Sequence, residues 1–558
     1  MTTLQKAEYK GNVLPLIEMT IGNKFDDIVE QNPDHPAIAV LHQNIRWSYG
    51  EFQREVNRLA TGLLNMGIEK GDRVGIWSPN RIEWVLTQFA TAKMGAIMVC
   101  INPAYRLYEL EYALNKVECK AIIAAEVFKT SQYLEMIAAL APELETCVPG
   151  ALQSEKLPYL RTVIRMGTEK TSGMFNFDDV MERGTQADAD RLAALATVLN
   201  PNDPINIQFT SGTTGTPKGA TLSHINILNN AYYSAVSMNL TADDRLCIPV
   251  PLYHCFGMVL GSLVCVSKGA TMVFPSEAFD PISTLQAVSD EKCTALHGVP
   301  TMFITELDLP NFKEFDVSQL RTGVIAGSTC PEELMKRLIA DMGLTEIVIG
   351  YGQTECSPIN HMTEIKDSFE ERTSTVGRPH YNWEVKITRE DGSTADIGEQ
   401  GEVCSRGYGV MQGYWADDEM TKETIDKDGF LLSGDLGEMD EKGFVKITGR
   451  IKDMIVRGGE NIYPREIEEY LYTHPEISEV QVFGVPDKKY GEVVCAWVQA
   501  REGSSLTPDE VQDYCQGQIT HFKIPKHIKI VAEFPMTVTG KMQKFIMRDQ
   551  YAEELSVF

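Results

Sequence analysis

The chain has 558 residues, 43% of them hydrophobic and 23% charged, with 51 basic against 78 acidic side chains and a formal net charge of −27. That length exceeds what one hydrophobic core serves and predicts at least two domains, while the charge repels nucleic acid and anionic membrane surfaces. Any anionic substrate must be captured by a locally positive pocket. The twelve cysteines never form a C-x-x-C pair; the nearest two, Cys247 and Cys255, fit neither a zinc knuckle nor a disulfide framework, so reduced thiols and a cytoplasmic location are expected.

The opening twenty residues have no long apolar core for secretion and carry acidic residues that a transit peptide avoids. From about Gly71 the chain alternates strand-like runs (Val74-Gly75-Ile76-Trp77; Ala121-Ile122-Ile123-Ala124) with amphipathic helical runs (Trp84 to Ala92; Leu107 to Leu114). That succession predicts βα units with parallel strands. Ile205-Asn206-Ile207-Gln208-Phe209 alternates as a half-buried strand does, and the residues from Ser223 through Ile227, Leu228 and Tyr232 can run on as a helix.

Between them lies Thr210-Ser211-Gly212-Thr213-Thr214-Gly215-Thr216-Pro217-Lys218-Gly219. A glycine-rich turn between strand and helix can aim backbone N–H groups and threonine hydroxyls at a polyphosphate, with Lys218 as a point charge. For such a decamer alone, a plain surface loop competes with that reading. The spacing is not that of a P-loop NTPase: counted from Gly212, that motif needs Gly where Pro217 stands and Ser or Thr where Gly219 follows the lysine.

The longest apolar run, around Gly257 to Val266, is too short and too rich in Gly and Ser to span a bilayer, so no integral membrane association is expected. Strand-like runs recur at Thr271-Met272-Val273-Phe274, at Val324-Ile325-Ala326 before a helix near Pro331, and at Ile347-Val348-Ile349. Near residue 395 the texture changes to short strands with Gly and Asp turns, such as Gly401 to Ser405 and Gly443 to Ile447, which read as hairpins of a small β-barrel-like subdomain. Beyond Pro464 a helix with Ile467, Tyr470 and Leu471 on its apolar side opens roughly a hundred residues of mixed α+β. The expected fold is therefore α/β: a large N-terminal domain of βα-rich subdomains (1–449) and a small α+β C-terminal domain (453–558).

Thr210 to Gly219, Tyr351-Gly352-Gln353-Thr354-Glu355, Ser433-Gly434-Asp435, Gly449-Arg450 through Tyr463-Pro464, and Pro535-Met536-Thr537-Val538-Thr539-Gly540-Lys541 occur in that order. Together they resemble the adenylate-forming superfamily of acyl-CoA synthetases, firefly luciferase and nonribosomal-peptide adenylation domains. The resemblance implies two half-reactions: carboxylate plus ATP to acyl-AMP and pyrophosphate, then acyl-AMP plus a thiol to thioester and AMP. It implies that Lys541 bridges carboxylate and α-phosphate, that Glu355, with Thr214, holds Mg²⁺, and that Thr354 contacts the α-phosphate. Thr210, Ser211, Gly212, Thr213, Thr214, Gly215 and Lys218 would cradle ATP. Adenine would lie on Tyr351 with Gly327 and Ser328 along its other side, and Asp435 and Arg450 would take the ribose hydroxyls.

By the same resemblance 450–452, with Lys452, is the hinge of a mobile C-terminal domain, and Gly458 and Gly459 line a thiol channel. Arg457, Lys488 and Lys489 are candidates for the phosphates of coenzyme A. His254, in Tyr253-His254-Cys255-Phe256-Gly257, borders the carboxylate end of the acyl site, against the competing reading of a satisfied core histidine. That segment has no aspartate of the kind amino-acid-activating relatives place there. Tyr253, Val299, Pro300 and Ala326 would line an uncharged acyl slot.

The Tyr-Gly-Gln-Thr-Glu-Cys-Ser-Pro run, with Gly377-Arg378-Pro379 downstream, looks most like medium-chain and broad-range fatty acyl-CoA ligases. The expected reaction is thus ATP-dependent ligation of a fatty acid to coenzyme A, releasing AMP and pyrophosphate. An aryl- or short-acid-CoA ligase, or an acyl-AMP ligase loading a carrier protein, is the alternative; the absence of a carrier domain after Lys541 favours free coenzyme A. A homodimer is left open.

Overall fold

The computed structural model describes residues 5–210, 217–328, 330–457, 460–516, 518–537 and 542–556. The chain divides into two compact units, one formed by 10–384 and 405–431, the other by 1–9, 385–404 and 432–558. The larger unit contains an eight-stranded and a nine-stranded sheet. In the first, Ala121–Ala124, Arg73–Trp77, Ile97–Cys100 and Pro204–Thr210 run parallel as neighbours. Strands covered on both faces need no polar alternation, which is why Ala121–Ala124 and Ile97–Cys100 are uninterrupted apolar runs and wholly buried. The second sheet places Arg245–Cys247, Ala295–Leu296, Thr322–Ala326 and Glu346–Gly352 side by side, again parallel.

One local expectation needs correction. The glycine-rich segment does not pass directly from strand to helix: Lys218–Ser223 is itself a strand, antiparallel to Pro204–Thr210, with Thr210 opposite Lys218. The helix begins only at His224, capped by Ser223, whose hydroxyl accepts from the Asn226 N–H while the Asn226 side chain accepts from the Ser223 N–H. Two neighbours impose the extended conformation. Pro204–Thr210 pairs on one side and Gly413–Tyr414 on the other, with Ala220 opposite Tyr414 and Thr221 opposite Gly413.

The helix His224–Ser237 is buried, and three asparagines on it serve as ties. Asn229 exchanges two hydrogen bonds with the Ile17 backbone, and Asn230 does the same with that of Ile359. Asn226 donates to the carbonyls of Tyr408 and Val410. Fully satisfied buried amides of this kind fix one arrangement of the segments they join.

In the smaller unit a five-stranded sheet has the order Glu8–Lys10, Trp383–Thr388, Gly401–Gly407, Leu431–Met439, Val445–Arg450. A second sheet orders Glu460–Ile462, Ile455–Arg457, Gly491–Ala500 and Ile477–Asp487, with His527–Ile530 parallel to Gly491–Ala500. The helices Pro464–Leu471 and Pro508–Cys515 bury Ile467, Leu471 and Val511 in its core. Lys544–Ser556 forms a further helix that the sequence pattern did not reveal. Among the described residues all twelve cysteines are free thiols and no helix is long and apolar enough to cross a membrane.

The larger unit is closely packed where the helix Tyr49–Asn65 meets Phe177–Met181: a Cβ on Gly62 would stand 1.9 Å from the Val180 carbonyl oxygen. Gly62→Ala is therefore expected to lower stability by about 1–3 kcal/mol despite its better helix propensity, read as a lower urea midpoint. A midpoint at or above that of the parent protein would contradict this packing.

Candidate active site

In the larger unit the parallel strands end where loops carry the polar residues, as open α/β sheets arrange their sites. Thr210 ends one strand of the first sheet, and Thr354–Cys356 follows the strand Glu346–Gly352 of the second as a short 3-10 turn. Glu355 on that turn is 8% exposed. Its Oε1 accepts hydrogen bonds from the Tyr414 hydroxyl at 2.8 Å and from the Thr210 hydroxyl at 3.3 Å. The alternative of a carboxylate satisfied by backbone N–H groups at a helix start is not what the turn shows; hydroxyls from two distant strands hold it.

Burial, followed by the adjacent Glu355 carboxylate, pushes the Tyr414 phenol well above its ordinary value, so it stays protonated and donates. Lys218 lies beside this pair, its Nζ 5.2 Å over the Tyr414 ring and 3.0 Å from the Met420 sulfur. The structure thus brings together Thr210, Lys218 and Glu355, together with Tyr414, which the sequence reading missed. Thr354 precedes Glu355 on the same turn. Ser211, Gly212, Thr213, Thr214 and Gly215 lie outside the described residues, as do Gly458, Gly459 and Lys541.

Tyr351 is half-buried and pairs across the antiparallel strands with His361, their rings 5.5 Å apart at 62°. Gly327 and Ser328 follow the strand Thr322–Ala326. Gly327 takes a φ of +91°, open to glycine at little cost, and a Cβ there would meet Val299 Cγ1 at 3.1 Å. Hydrogen bonds from the Gly298 N–H to the Val324 carbonyl and from the Ala326 N–H to the Gly298 carbonyl set Val299 and Pro300 beside Ala326 and Gly327. These four small or apolar residues therefore form one surface.

His254 caps the turn Cys255–Gly257, its Nδ1 accepting from the Phe256 N–H at 3.2 Å, and the Tyr253 ring lies 6.5 Å from its own. A π-helical stretch, Met258–Leu263, follows at once. Such wide turns need outside support for their freed carbonyls. Gln88 and Ser262 both donate to the Met258 carbonyl, and buried His297 reaches the Leu260 carbonyl at 2.8 Å through Nε2. Because Nδ1 of His297 accepts from the Val324 N–H, the ring is neutral with its proton on Nε2, and burial lowers its pKa to about 4. Gln88, Ser262 and His297 left no sequence signal beyond being polar residues inside apolar runs.

In the smaller unit Asp435 is buried on the strand Leu431–Met439, opposite Arg450, whose Nε is 3.0 Å from Asp435 Oδ1. Gly434 takes a φ of +70° and donates its N–H to Glu402, whose carboxyl burial shifts upward. Lys452 is exposed in the 3-10 turn Ile451–Asp453. Arg457 and Lys489 converge on one ring: the guanidinium sits 4.5 Å and the ammonium 4.9 Å from the centre of Tyr490. Lys488 is exposed one position away.

Comparison with known proteins agrees with these features. Residues 25–415 match the AMP-binding enzyme family, and residues 466–541 match the AMP-binding enzyme C-terminal domain. The chain belongs to this family of adenylate-forming enzymes. It is 48% identical over 541 residues to YngI of Bacillus subtilis (strain 168), named as an acyl-CoA synthetase, covering 96% of this chain and 98% of that one. It is 46% identical to the mitochondrial medium-chain acyl-CoA ligase ACSF2 of Danio rerio, over 97% of this chain and 90% of the other. Among solved structures, ATP-bound MatB from Rhodopseudomonas palustris superposes with a TM-score of 0.83 at 28% identity, covering 96% of this chain and 99% of that one.

Four histidines of the larger unit are buried and neutral. Desolvation, the leading cause at each, lowers His224 and His297 to about 4 and His361 and His380 to about 3. An unfolded imidazole takes up a proton below about 6.5. These groups therefore stabilise fully above that pH, and their contribution is lost as the pH falls from about 6.5 toward 4, at about 1.4 kcal/mol per pH unit for each. Glu306, Glu402 and Glu479, whose pKa values burial raises, bind their protons more readily folded and oppose part of this loss. The urea midpoint is expected to drop markedly between about pH 7 and about pH 5.5; equal midpoints would contradict neutral buried rings.

Proposed function

We propose that this protein joins a medium-chain fatty acid to coenzyme A, with ATP as the source of driving force, by way of an acyl-adenylate. The choice of acid is supported by Val299, Pro300, Ala326 and Gly327, which backbone hydrogen bonds bring side by side, and by the segment Tyr253 to Gly257, which has no aspartate. An apolar, uncharged slot favours an aliphatic tail over an amino acid.

The chemistry gives each residue a task. A carboxylate and ATP repel, and attack on the α-phosphorus requires both anions to be held in line. In this reading the turn after Thr210 and the ammonium of Lys218 hold the phosphates, Thr354 meets the α-phosphate, and Tyr351 with Gly327 and Ser328 flanks adenine. Asp435 accepts from the ribose hydroxyls, an acceptor-only role suited to a carboxylate, and Arg450 orients it. His254 borders the acid's carboxylate as a neutral ring with Nδ1 already engaged. Lys541 stabilises the charge that builds between carboxylate and α-phosphate.

Glu355 fits a magnesium ligand: it is an ionisable oxygen donor whose Oε1 already holds two hydroxyls, and one carboxylate completed by phosphate oxygens and water is how that ion is bound. When bound, the ion would neutralise phosphate charge. Residues 450–452 would serve as the hinge between 1–449 and the lid 453–558, with Arg457, Lys488 and Lys489 taking coenzyme A phosphates and Gly458-Gly459 lining the thiol path. A cytoplasmic location is part of the same proposal.

Incubation with ATP, labelled pyrophosphate and a ladder of fatty, aromatic and amino acids tests the reading. Exchange is expected to require an acid, to peak among medium-chain fatty acids and to be followed by coenzyme A consumption; a peak with aromatic or amino acids would overturn the choice of acid. Lys541→Ala is expected to lower exchange by about 10²–10³-fold while largely sparing thioester formation from supplied acyl-AMP. Equal loss of both steps would contradict the role of Lys541.

A further inference from the structure

Tyr414 lies 59 positions from Glu355 in sequence and comes to it through backbone pairing alone. Ala220 faces Tyr414 across the strands, the Trp415 N–H donates to the Gly219 carbonyl at 2.7 Å, and the Gln412 N–H donates to the Thr221 carbonyl at 2.9 Å. The same segment grips the turn of Glu355 directly, the Met411 N–H reaching the Glu355 carbonyl at 2.9 Å. Asn226 holds the start of that segment through Tyr408 and Val410. The phenol is therefore delivered by a rigid, four-point attachment.

A carboxylate only accepts, so both hydroxyls at Oε1 must be donors. Oε1 thus receives Tyr414 and Thr210, while Oε2 receives no hydrogen bond from the described residues. Lys218 Nζ sits 5.2 Å from the centre of the same ring. The geometry assigns Tyr414 a positioning role in adenylation: with Thr210 it fixes Oε1 of Glu355 and presents Oε2 to the divalent cation that accompanies ATP. This rests on the reading of Glu355 as a magnesium ligand.

Binding of Mn²⁺ to the full-length enzyme with saturating ATP and no acid, followed by the electron paramagnetic resonance of the free ion, separates the two ideas. Tyr414→Phe keeps the ring beneath Lys218 and removes only the hydroxyl. It is expected to weaken Mn²⁺ binding by about tenfold or more, as loss of a hydrogen bond to a charged group does, and to raise by a similar factor the Mg²⁺ needed for half-maximal pyrophosphate exchange without raising the KM of the acid. Thr210→Val removes the longer hydrogen bond and is expected to shift both readouts the same way by less, which keeps the test open if Tyr414→Phe fails to fold. Unchanged Mn²⁺ binding in Tyr414→Phe, with weakened binding in Glu355→Gln, would overturn the role of Tyr414 alone. Unchanged binding in Glu355→Gln would overturn the metal-ligand reading beneath it.

Discussion

Two facing residue pairs, Ala220 with Tyr414 and Thr221 with Gly413, set the arrangement of polar groups around Glu355 in the larger unit. Through them a short strand closes the edge of the first sheet beside the segment that follows the glycine-rich turn, and the hydroxyl of Tyr414 arrives at Glu355 on the second sheet. Thr210 arrives at the same oxygen from the other side. Without that pairing the Glu355 carboxylate, 8% exposed, would lack its shorter hydrogen bond, and a buried charge so deprived is costly. The site is thus as rigid as the sheets that carry it.

The same economy governs charge. A chain of net −27 must receive two anions, and Lys218 is the lysine that the described residues place beside Glu355 and Tyr414. Lys218 rests over an aromatic ring and beside a sulfur, and the histidines packed behind the strands are kept neutral by burial. His361, next to Tyr351, and His297, which ties the π turn after His254 to the strand before Gly327, contribute fixed dipoles in place of charge. Preorganised dipoles and hydroxyls of this kind need no reorganisation when charge develops in a transition state.

The alternation of strands and helices was legible because parallel strands buried on both faces, such as Ala121–Ala124, must be apolar throughout. Thr210, Lys218, Tyr351, Glu355 and Asp435 stood out through the resemblance of their strings to one family, and the structure brings Thr210 to Glu355 and Lys218 to the Tyr414 ring beside it. What escaped depends on contacts distant in sequence. Lys218–Ser223, with its glycine and few β-branched residues, gives no strand signal of its own and is extended because strands flank it on both sides. Tyr414 had only the local sequence Gly413-Tyr414-Trp415 to mark it. Gln88 and His297 read as interruptions in apolar runs, since the carbonyls they satisfy belong to a π turn that periodicity does not disclose.

The central claim is that the oxygen of a fatty acid becomes bonded to the α-phosphorus of ATP before sulfur replaces it. A single turnover with decanoic acid labelled by ¹⁸O in both carboxylate oxygens, ATP, Mg²⁺ and coenzyme A measures this directly by mass spectrometry of the products. The account predicts AMP carrying one ¹⁸O and thioester carrying the other; unlabelled AMP, or ADP in its place, would contradict it.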